Sequence, residues 1–157
     1  MATIKIKQNE VDARVHNNQT GTITLSVEDI YKVYVFEKAY KKFIDWTKRT
    51  HYEYGQFRTP EYNKQKGGIP TSNHLKGLAI DTYFKGVTFD KARIEKWMAK
   101  WRQISGEFGF VGEMGFYPEY SFNGCKGMLH IGMNTYSKKF TNWMTDSKGQ
   151  HDNFYKL

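Results

Sequence analysis

The sequence predicts an α+β fold, a small antiparallel sheet with helices packed against it. Segments that alternate between polar and apolar residues are interleaved with two long segments of helical period, and they lack the regular spacing of parallel crossovers. A chain of 157 residues with 39% hydrophobic residues is also long enough to bury one core. We therefore expect a single domain over residues 1–157, with an N-terminal extension at 1–25 and a loose polar tail at 145–157.

The first half of the chain is expected to form a hairpin, a long helix and a strand. Residues 2–25 alternate on both sides of a turn-rich stretch, which predicts the hairpin. Ser26 and Asp29 have the spacing of a capping box, and the apolar residues after them recur at helical period. These signals predict a helix from about Val27 to Lys48, and a strand is expected from Tyr52 to Phe57.

The second half is expected to contain three more strand segments and two helices. In the strand from Leu78 to Tyr83, alternate side chains share a face, so Asp81 emerges beside the small residue Ala79. A helix with an apolar stripe is expected from Thr88 to Gly106. The remaining expected elements are a glycine-broken strand at Phe108–Tyr117, a strand at Met128–Met133 and a short helix that holds Phe140, Trp143 and Met144.

The composition limits the cellular context more than it limits the function. A net charge of +8 would attract nucleic acid, anionic lipid or an acidic cell wall, and it does not choose among them. The chain has neither a run of about 18 apolar residues nor the apolar core of a secretory signal, so we expect no transmembrane segment and synthesis in the cytoplasm. Cys125 is the only cysteine, which excludes an intramolecular disulfide. Its thiol could touch a metal, but a partly buried free thiol is the simpler expectation.

Three residues have the types and spacing of a metal site. His74 and Asp81 are seven residues apart, separated by a glycine-interrupted turn that leads into an apolar strand. His130 lies between Leu129 and Ile131, and if these two face the core, the imidazole faces the other way, toward Asp81. Two imidazoles and a carboxylate make a three-ligand zinc site with an open fourth position for water. The remaining histidines, which we expect to be solvated, are His16, His51 and His151.

These residues belong to a longer pattern. The run QFRTPEYNKQKGGIPTSNHLKGLAID, followed by GEMGFYP and then LHIGM, resembles the peptidase M15 family, in particular its branch of small peptidoglycan peptidases. The pattern is similar to D-alanyl-D-alanine carboxypeptidases, phage L-alanyl-D-glutamate endolysins and the zinc-binding domain of hedgehog proteins. The resemblance spans about residues 52–143 and leaves out the first 25. It implies a hedgehog-like or DD-peptidase-like fold.

The resemblance also implies a role for each matching residue. It implies one Zn²⁺ ion held by His74, Asp81 and His130. Arg58 would hold the scissile carbonyl oxygen or a substrate carboxylate. Ser72 would hydrogen-bond the substrate backbone, and the groove around Tyr117 and Arg58 would decide which bond is cut.

The sequence departs from the family pattern at the general base. Many relatives have an acid three residues before the last histidine, where this chain has Gly127, and others have an aspartate two residues after it, where this chain has Gly132. Hydrolysis still needs a group that takes a proton from water and returns it to the leaving amine. The candidates are Glu113 and Glu119. Glu113 is favoured because the glycines around it let the backbone approach the site.

Three functions are compatible with these observations. The leading one is a monomeric zinc peptidase that cuts stem peptides of bacterial peptidoglycan, as either an endopeptidase or a D,D-carboxypeptidase. We expect a phage or prophage endolysin, made in the host cytoplasm and acting on the cell wall or periplasm after release. The second is a catalytically impaired zinc-binding module that recognises cell-wall peptides. The third, a nucleic-acid-binding domain, explains the charge but leaves the three metal ligands without a purpose, so no specific nucleic-acid partner is expected.

Overall fold

The computed structural model describes the backbone of residues 2–6 and the whole of residues 21–157, and it confirms the α+β class. In this part of the chain, three α-helices accompany a two-stranded hairpin and a six-stranded, mostly antiparallel sheet. The helices are α1 (Val27–Thr47), α2 (Pro60–Gln65) and α3 (Lys91–Glu107), and a 3₁₀ turn spans Asn73–Lys76. The strands are β1 (Ala2–Ile6), β2 (Gly21–Leu25), β3 (His51–Gly55), β4 (Ala79–Phe84), β5 (Gly112–Phe122), β6 (Cys125–Met133), β7 (Thr141–Asp146) and β8 (Gly149–Asp152).

The six-stranded sheet has the order β3-β4-β6-β5-β7-β8. Its neighbouring strands run antiparallel, except that β7 runs parallel to β5. The hairpin of β5 and β6 is longer than the sequence indicated, and it turns at Asn123 and Gly124, whose φ angles are 50° and 77°. This long hairpin is the centre of the sheet, so its two strands carry much of the site described below.

The first helix begins where the capping box predicts. The backbone N–H of Asp29 donates to Ser26 Oγ at 3.0 Å, and the backbone N–H of Ser26 donates to Asp29 Oδ2 at 2.9 Å. The helix ends at Lys48, which adopts the left-handed conformation with φ 52°. Phe36 and Phe43 are fully buried on its inner face. The predicted boundaries of this helix are therefore confirmed to within a residue.

One face of the large sheet packs against α1 and α3 and forms the core. Ile80, Ile131 and Met114 are directly paired across β4, β6 and β5, and all three are buried in the same cluster as Trp101 of α3. Because side chains alternate along a strand, the residues next to these point to the opposite face of the sheet. That opposite face carries the functional residues.

The expected N-terminal hairpin is present in the described residues. Strand β1 pairs with β2 from Ala2 with Leu25 to Ile6 with Gly21, whereas the expected turn between the strands lies outside the described residues, as does His16. Ile23 and Leu25 belong to the main core. The side chain of Lys76 donates to the carbonyl oxygen of Thr24 at 2.9 Å. The hairpin therefore packs against the turn that carries His74 rather than standing apart from the fold.

The predictions for the C-terminal residues are wrong. The expected short helix around Phe140, Trp143 and Met144 is strand β7, and the expected loose tail contains the end of β7 and the whole of β8. Tyr155 is only 5% exposed, and its backbone N–H donates to Asn142 Oδ1 at 2.9 Å. The physical reason is the parallel pairing of β7 with β5, a long-range contact that favours an extended conformation over the local helical spacing.

Cys125, His51 and His151 lie outside the metal-binding group. Cys125 is a buried free thiol that packs with Tyr83 and Met128, as expected, and it is not part of the metal-binding group described below. His51 and His151 lie elsewhere, each beside a nearby carboxylate. No helix in the described part of the chain combines the length and the apolar character needed to cross a membrane.

Candidate metal centre

His74 is presented by the 3₁₀ turn. Ser72 caps this turn, since its Oγ accepts the backbone N–H of His74 at 3.3 Å. Gly77 ends the turn with φ 71°, a conformation that favours glycine, and a Cβ at this position would lie 2.2 Å from the ring of Phe57. The turn can therefore close only around a glycine, and it holds His74 at 2% exposure.

The register of the sheet brings Asp81 and His130 side by side. Asp81 on β4 is paired directly with His130 on β6, and His130 is paired with Gly115 on β5, which is paired in turn with Trp143 on β7. Residues paired in this way have neighbouring side chains on the same face. Gly115 leaves room for the indole, because a Cβ there would lie 2.2 Å from Trp143. The ring centroids of Trp143 and His130 are 5.2 Å apart.

The three predicted ligands converge. His74 Nε2 and His130 Nδ1 each lie 3.2 Å from Asp81 Oδ1, and one ligand atom from each residue falls within 4.8 Å of the others. Ligands at zinc-nitrogen and zinc-oxygen distances of about 2.0–2.1 Å in tetrahedral geometry are themselves about 3.3 Å apart. These two separations fit that geometry, so the group could hold a metal ion. In the described residues it is the one such group of histidine, cysteine and carboxylate side chains.

The hydrogen bonds of the His74 ring indicate a cation between His74 Nε2 and Asp81 Oδ1. Its Nδ1 lies 3.0 Å from the carbonyl oxygen of Gln56, which can only accept, so Nδ1 carries the proton. In the neutral imidazole, Nε2 then presents a lone pair to the carboxylate of Asp81. Two lone pairs 3.2 Å apart need a positive charge between them, either a proton or a metal ion. The carbonyl of Gln56 thus acts as the outer partner that typically orients a metal-binding histidine.

The carboxylates and imidazoles shift one another's pKa values. Burial raises the pKa of Asp81, but the charge of His74 and the hydrogen bond from His130 outweigh it and hold this pKa well below its usual range. Burial lowers the pKa of His130, but hydrogen bonds to Asp81 and Glu113 outweigh it and raise the pKa to about 9. These contacts therefore favour the imidazolium form of His130 in the metal-free protein.

Glu113 lies on the far side of the His130 ring from Asp81. Its Oε1 lies 3.0 Å from His130 Nε2 and accepts a second hydrogen bond from Asn73 Nδ2 at 2.7 Å. Glu113 is paired directly with Gly132, and a Cβ at Gly132 would lie 2.8 Å from the same Oε1. The carboxylate of Glu113 therefore occupies the space that a side chain at residue 132 would fill.

The other positions considered for an acid lie away from the three ligands. Glu119 is exposed and does not line the cleft described below. Gly127 has φ 90°, and a Cβ there would lie 2.9 Å from the core ring of Phe116, so an acid at this position would point into the core. Of the acids weighed from the sequence, the structure brings only Glu113 to the site.

Arg58 lies beside the ligand Asp81. Its Nη2 lies 3.6 Å from Asp81 Oδ2, and its Nη1 donates to Asn63 Oδ1 at 3.3 Å. Asn63 is buried and also donates to the carbonyl oxygen of Ile69 at 2.8 Å. The backbone N–H of Arg58 donates to the carbonyl oxygen of His74 at 3.0 Å, which ties the arginine to the turn that carries the first ligand. Arg58 is therefore a fixed positive charge at the edge of the metal-binding group.

A cleft of about 1050 Å³ opens over these residues. The predicted substrate-binding residues Ser72 and Tyr117 both line it, as do all three predicted ligands, Arg58 and Glu113. The hydroxyl of Tyr117 accepts a hydrogen bond from Trp143 Nε1 at 3.1 Å. The cleft is large enough for an extended peptide and not only for a metal ion.

A comparison with protein-family models matches residues 5–117 to the model described as Peptidase M15. The chain belongs to the peptidase M15 family. Its members are metallopeptidases, in agreement with a buried group of His74, Asp81 and His130 that could bind a metal. The curated proteins and solved structures that were compared give no match.

The family model matches residues 5–117, whereas the resemblance was expected over about residues 52–143. The M15 match begins within β1, so most of the first 25 residues lie inside it, and it ends at Tyr117, before the strand that carries His130. The inclusion of His130 in the metal-binding group of this M15 chain therefore depends on the fold, which pairs it with Asp81.

Sequence reasoning missed two residues of this M15 site. The helical spacing of Phe140, Trp143 and Met144 predicts a helix, whereas Trp143 lies on strand β7 beside His130. Asn73 gave no signal of its own, because its hydrogen bonds reach Glu113 and the carbonyl oxygen of Met133, which are 40 and 60 residues away in the chain. Only the folded structure brings these partners together.

Proposed function

We propose that this M15 peptidase is a zinc enzyme that hydrolyses amide bonds in the stem peptides of bacterial peptidoglycan. The observation that carries the proposal is the convergence of two imidazoles and a carboxylate at the floor of an open cleft, beside a fixed arginine. The zinc ion would be held by His74 Nε2, Asp81 Oδ1 and His130 Nδ1. When bound in such a site, zinc lowers the pKa of its water to about 7 and polarises the amide carbonyl.

Arg58 supplies the charge that the reaction needs at the carbonyl oxygen. Attack on an amide places negative charge on that oxygen, and a preorganised donor at this position is typically worth a few kcal/mol in the barrier. The contacts of Arg58 with Asp81 and Asn63 support this role, because they hold the guanidinium in place before substrate arrives. In a carboxypeptidase reaction the same guanidinium would bind the substrate carboxylate.

Glu113 is the proposed general base and acid. Its carboxylate is buried, it lines the cleft, and its Oε1 is held at the Nε2 side of His130 by His130 and Asn73, so proton exchange with water and the leaving amine would fall to its other oxygen. The absence of an acid at residues 127 and 132 is the argument for an impaired module. Glu113 weakens that argument, because its carboxylate fills the space beside Gly132 from the neighbouring strand.

The cleft suits a peptide substrate, and the charge is compatible with a cell wall. Ser72 would hydrogen-bond a peptide backbone, and both Ser72 and Tyr117 line the cleft. The net charge of +8 favours association with a negatively charged envelope. We propose that the protein is a monomeric phage or prophage endolysin, made in the host cytoplasm, that reaches the wall or periplasm after release.

The decisive experiment is mass analysis of the muropeptides that the zinc-loaded protein releases from purified cell walls. We expect new amino groups and defined fragments, which also identify the scissile bond. A chelator and the His74→Ala variant should each abolish release. One bound zinc with no released fragment between pH 6 and 9 would instead support the zinc-binding module. Salt-sensitive DNA binding that a chelator leaves unchanged would support the nucleic-acid-binding domain.

A further inference from the structure

The cleft is also lined by a group of aromatic side chains, of which the catalytic proposal uses only Tyr117. We call this group the aromatic shelf, and it consists of Tyr54, Tyr83, Tyr117, Tyr120 and Phe122. Their ring contacts fall into two groups, one of Tyr54, Tyr83 and Phe122 and one of Tyr117 and Tyr120. The centroids are 5.4 Å apart for Tyr54 and Phe122, 5.6 Å for Tyr83 and Phe122, and 5.2 Å for Tyr117 and Tyr120.

The shelf is built by strands β3, β4 and β5, and β4 also carries the ligand Asp81. Tyr83 follows Asp81 by two residues on β4 and shares its face, Tyr54 comes from the neighbouring strand β3, and Tyr120 and Phe122 come from the tip of the long β5–β6 hairpin. The tip of this hairpin thus adds rings to the cleft without changing the metal ligands.

Large rings at this position remain open to solvent. Tyr54 is 45%, Tyr120 52% and Phe122 40% exposed. Scattered exposed aromatics are ordinary, but a contiguous group at the edge of a polar cleft marks a ligand-binding surface. The five members carry no charge, and four of them combine a flat apolar ring with a hydroxyl group. A sugar ring is complementary to such a surface, because it presents an apolar C–H face and a rim of hydroxyl groups.

The distance from the metal-binding group indicates which part of the substrate reaches the shelf. Two residues along a strand correspond to about 7 Å, so the shelf begins about 7 Å from Asp81 at Tyr83. An extended peptide spans about 3.3–3.6 Å per residue, so this gap holds about two residues. If a sugar binds the shelf, the amide bonds of the first two peptide residues attached to it would lie beside the metal-binding group.

We propose that the aromatic shelf is a subsite for a sugar ring of the glycan strand, and that it directs hydrolysis to an amide bond within about two residues of the sugar. This inference rests on the proposed peptidase function and deepens it by naming the part of the substrate. It selects glycan-linked stem peptides over free peptides of the same sequence. It also disfavours terminal trimming at the far end of the stem.

A binding experiment tests the shelf without any hydrolysis. The probe is a soluble N-acetylglucosamine oligosaccharide, titrated into the zinc-loaded protein by calorimetry or NMR. We expect binding that weakens at least tenfold in Phe122→Ala and in Tyr54→Ala, while Tyr31→Ala, a change of an exposed tyrosine on α1 outside the cleft, leaves it unchanged. No binding by the unaltered protein, or equal binding by the shelf variants, would overturn the proposal. Circular dichroism of each variant checks that the fold is kept.

A kinetic experiment separates this inference from the proposed function. Two substrates are compared, a disaccharide-linked stem peptide and the same peptide without sugar. The unaltered protein should have the higher kcat/KM for the linked substrate, and Phe122→Ala should bring the ratio close to one. An equal loss on both substrates would show that the shelf binds peptide and would refute the sugar subsite. If neither substrate is cleaved, the peptidase proposal fails, and the oligosaccharide titration still decides about the shelf.

Discussion

Removal of the Glu113 carboxylate should weaken metal binding as well as turnover. In Glu113→Ala, the N–H groups of His130 Nε2 and Asn73 Nδ2 lose the oxygen that they share at 3.0 and 2.7 Å. Loss of an outer partner of a metal-binding histidine typically reduces affinity 10–100-fold, or about 1.4–2.7 kcal/mol. Zinc affinity is measured by competition with a chromophoric chelator. An unchanged zinc affinity would show that the contact of Glu113 with His130 does not support metal binding.

The Glu113→Gln variant separates the two roles of the side chain. Its amide oxygen can still accept the hydrogen bond from His130, so we expect zinc affinity within about threefold of the unaltered protein. Proton transfer would be lost, and such a loss typically lowers turnover by about 10²–10⁴. Retention of the full rate by Glu113→Gln would show that another group, or the substrate, moves the proton.

An aspartate at residue 132 should restore the zinc affinity that Glu113→Ala loses. Because a Cβ at Gly132 would lie 2.8 Å from Glu113 Oε1, an aspartate at residue 132 can bring a carboxylate to His130 only if Glu113 is removed. The double variant Glu113→Ala with Gly132→Asp should therefore regain most of the lost zinc affinity. Gly132→Asp alone should bind less tightly than the unaltered protein, since two carboxylates would compete for one place. A double variant no better than Glu113→Ala would contradict this geometry.

Three further predictions follow from the same site. Arg58→Lys should keep one bound zinc but lower kcat/KM at least tenfold, because a lysine cannot reproduce the planar contacts; an unchanged kcat/KM would exclude Arg58 from the reaction. Gly77→Ala should lower the midpoint of thermal unfolding, because its Cβ would lie 2.2 Å from the ring of Phe57 at φ 71°; differential scanning calorimetry measures the shift, and an unchanged midpoint would contradict it. Burial lowers and the two carboxylates beside it raise the pKa of His130, to about 9. A proton on this ring therefore competes with the metal below pH 9, so zinc binding at pH 7 should release about one proton from His130, and affinity should rise with pH up to about 9. Calorimetry in buffers of different ionisation enthalpy measures this release, and its absence would contradict the shift.

The sequence predicted the metal ligands because their placement depends on local rules. His74 sits in a turn that Gly77 must close, and the alternation of β4 and β6 decides which faces Asp81 and His130 occupy. Apolar neighbours on both sides of His130 were enough to orient it. Such short-range patterns survive in a single sequence.

The rest of the site depends on contacts between distant segments. Strand β7 forms because it lies parallel to β5, and the sequence around Trp143 contains no signal for that partner. The position of Glu113 could be predicted only in part, since its pairing with Gly132 fixes where the carboxylate goes. The aromatic shelf likewise requires the register of β3, β4 and the β5–β6 hairpin. Long-range register is the information that a local pattern lacks.

The most direct test of the account is the position of zinc in crystals of the zinc-loaded protein, measured from anomalous scattering at the zinc absorption edge. We predict one strong peak within about 2.0–2.2 Å of His74 Nε2, Asp81 Oδ1 and His130 Nδ1. A protein that takes up no zinc, or a peak bound by other side chains, would contradict it.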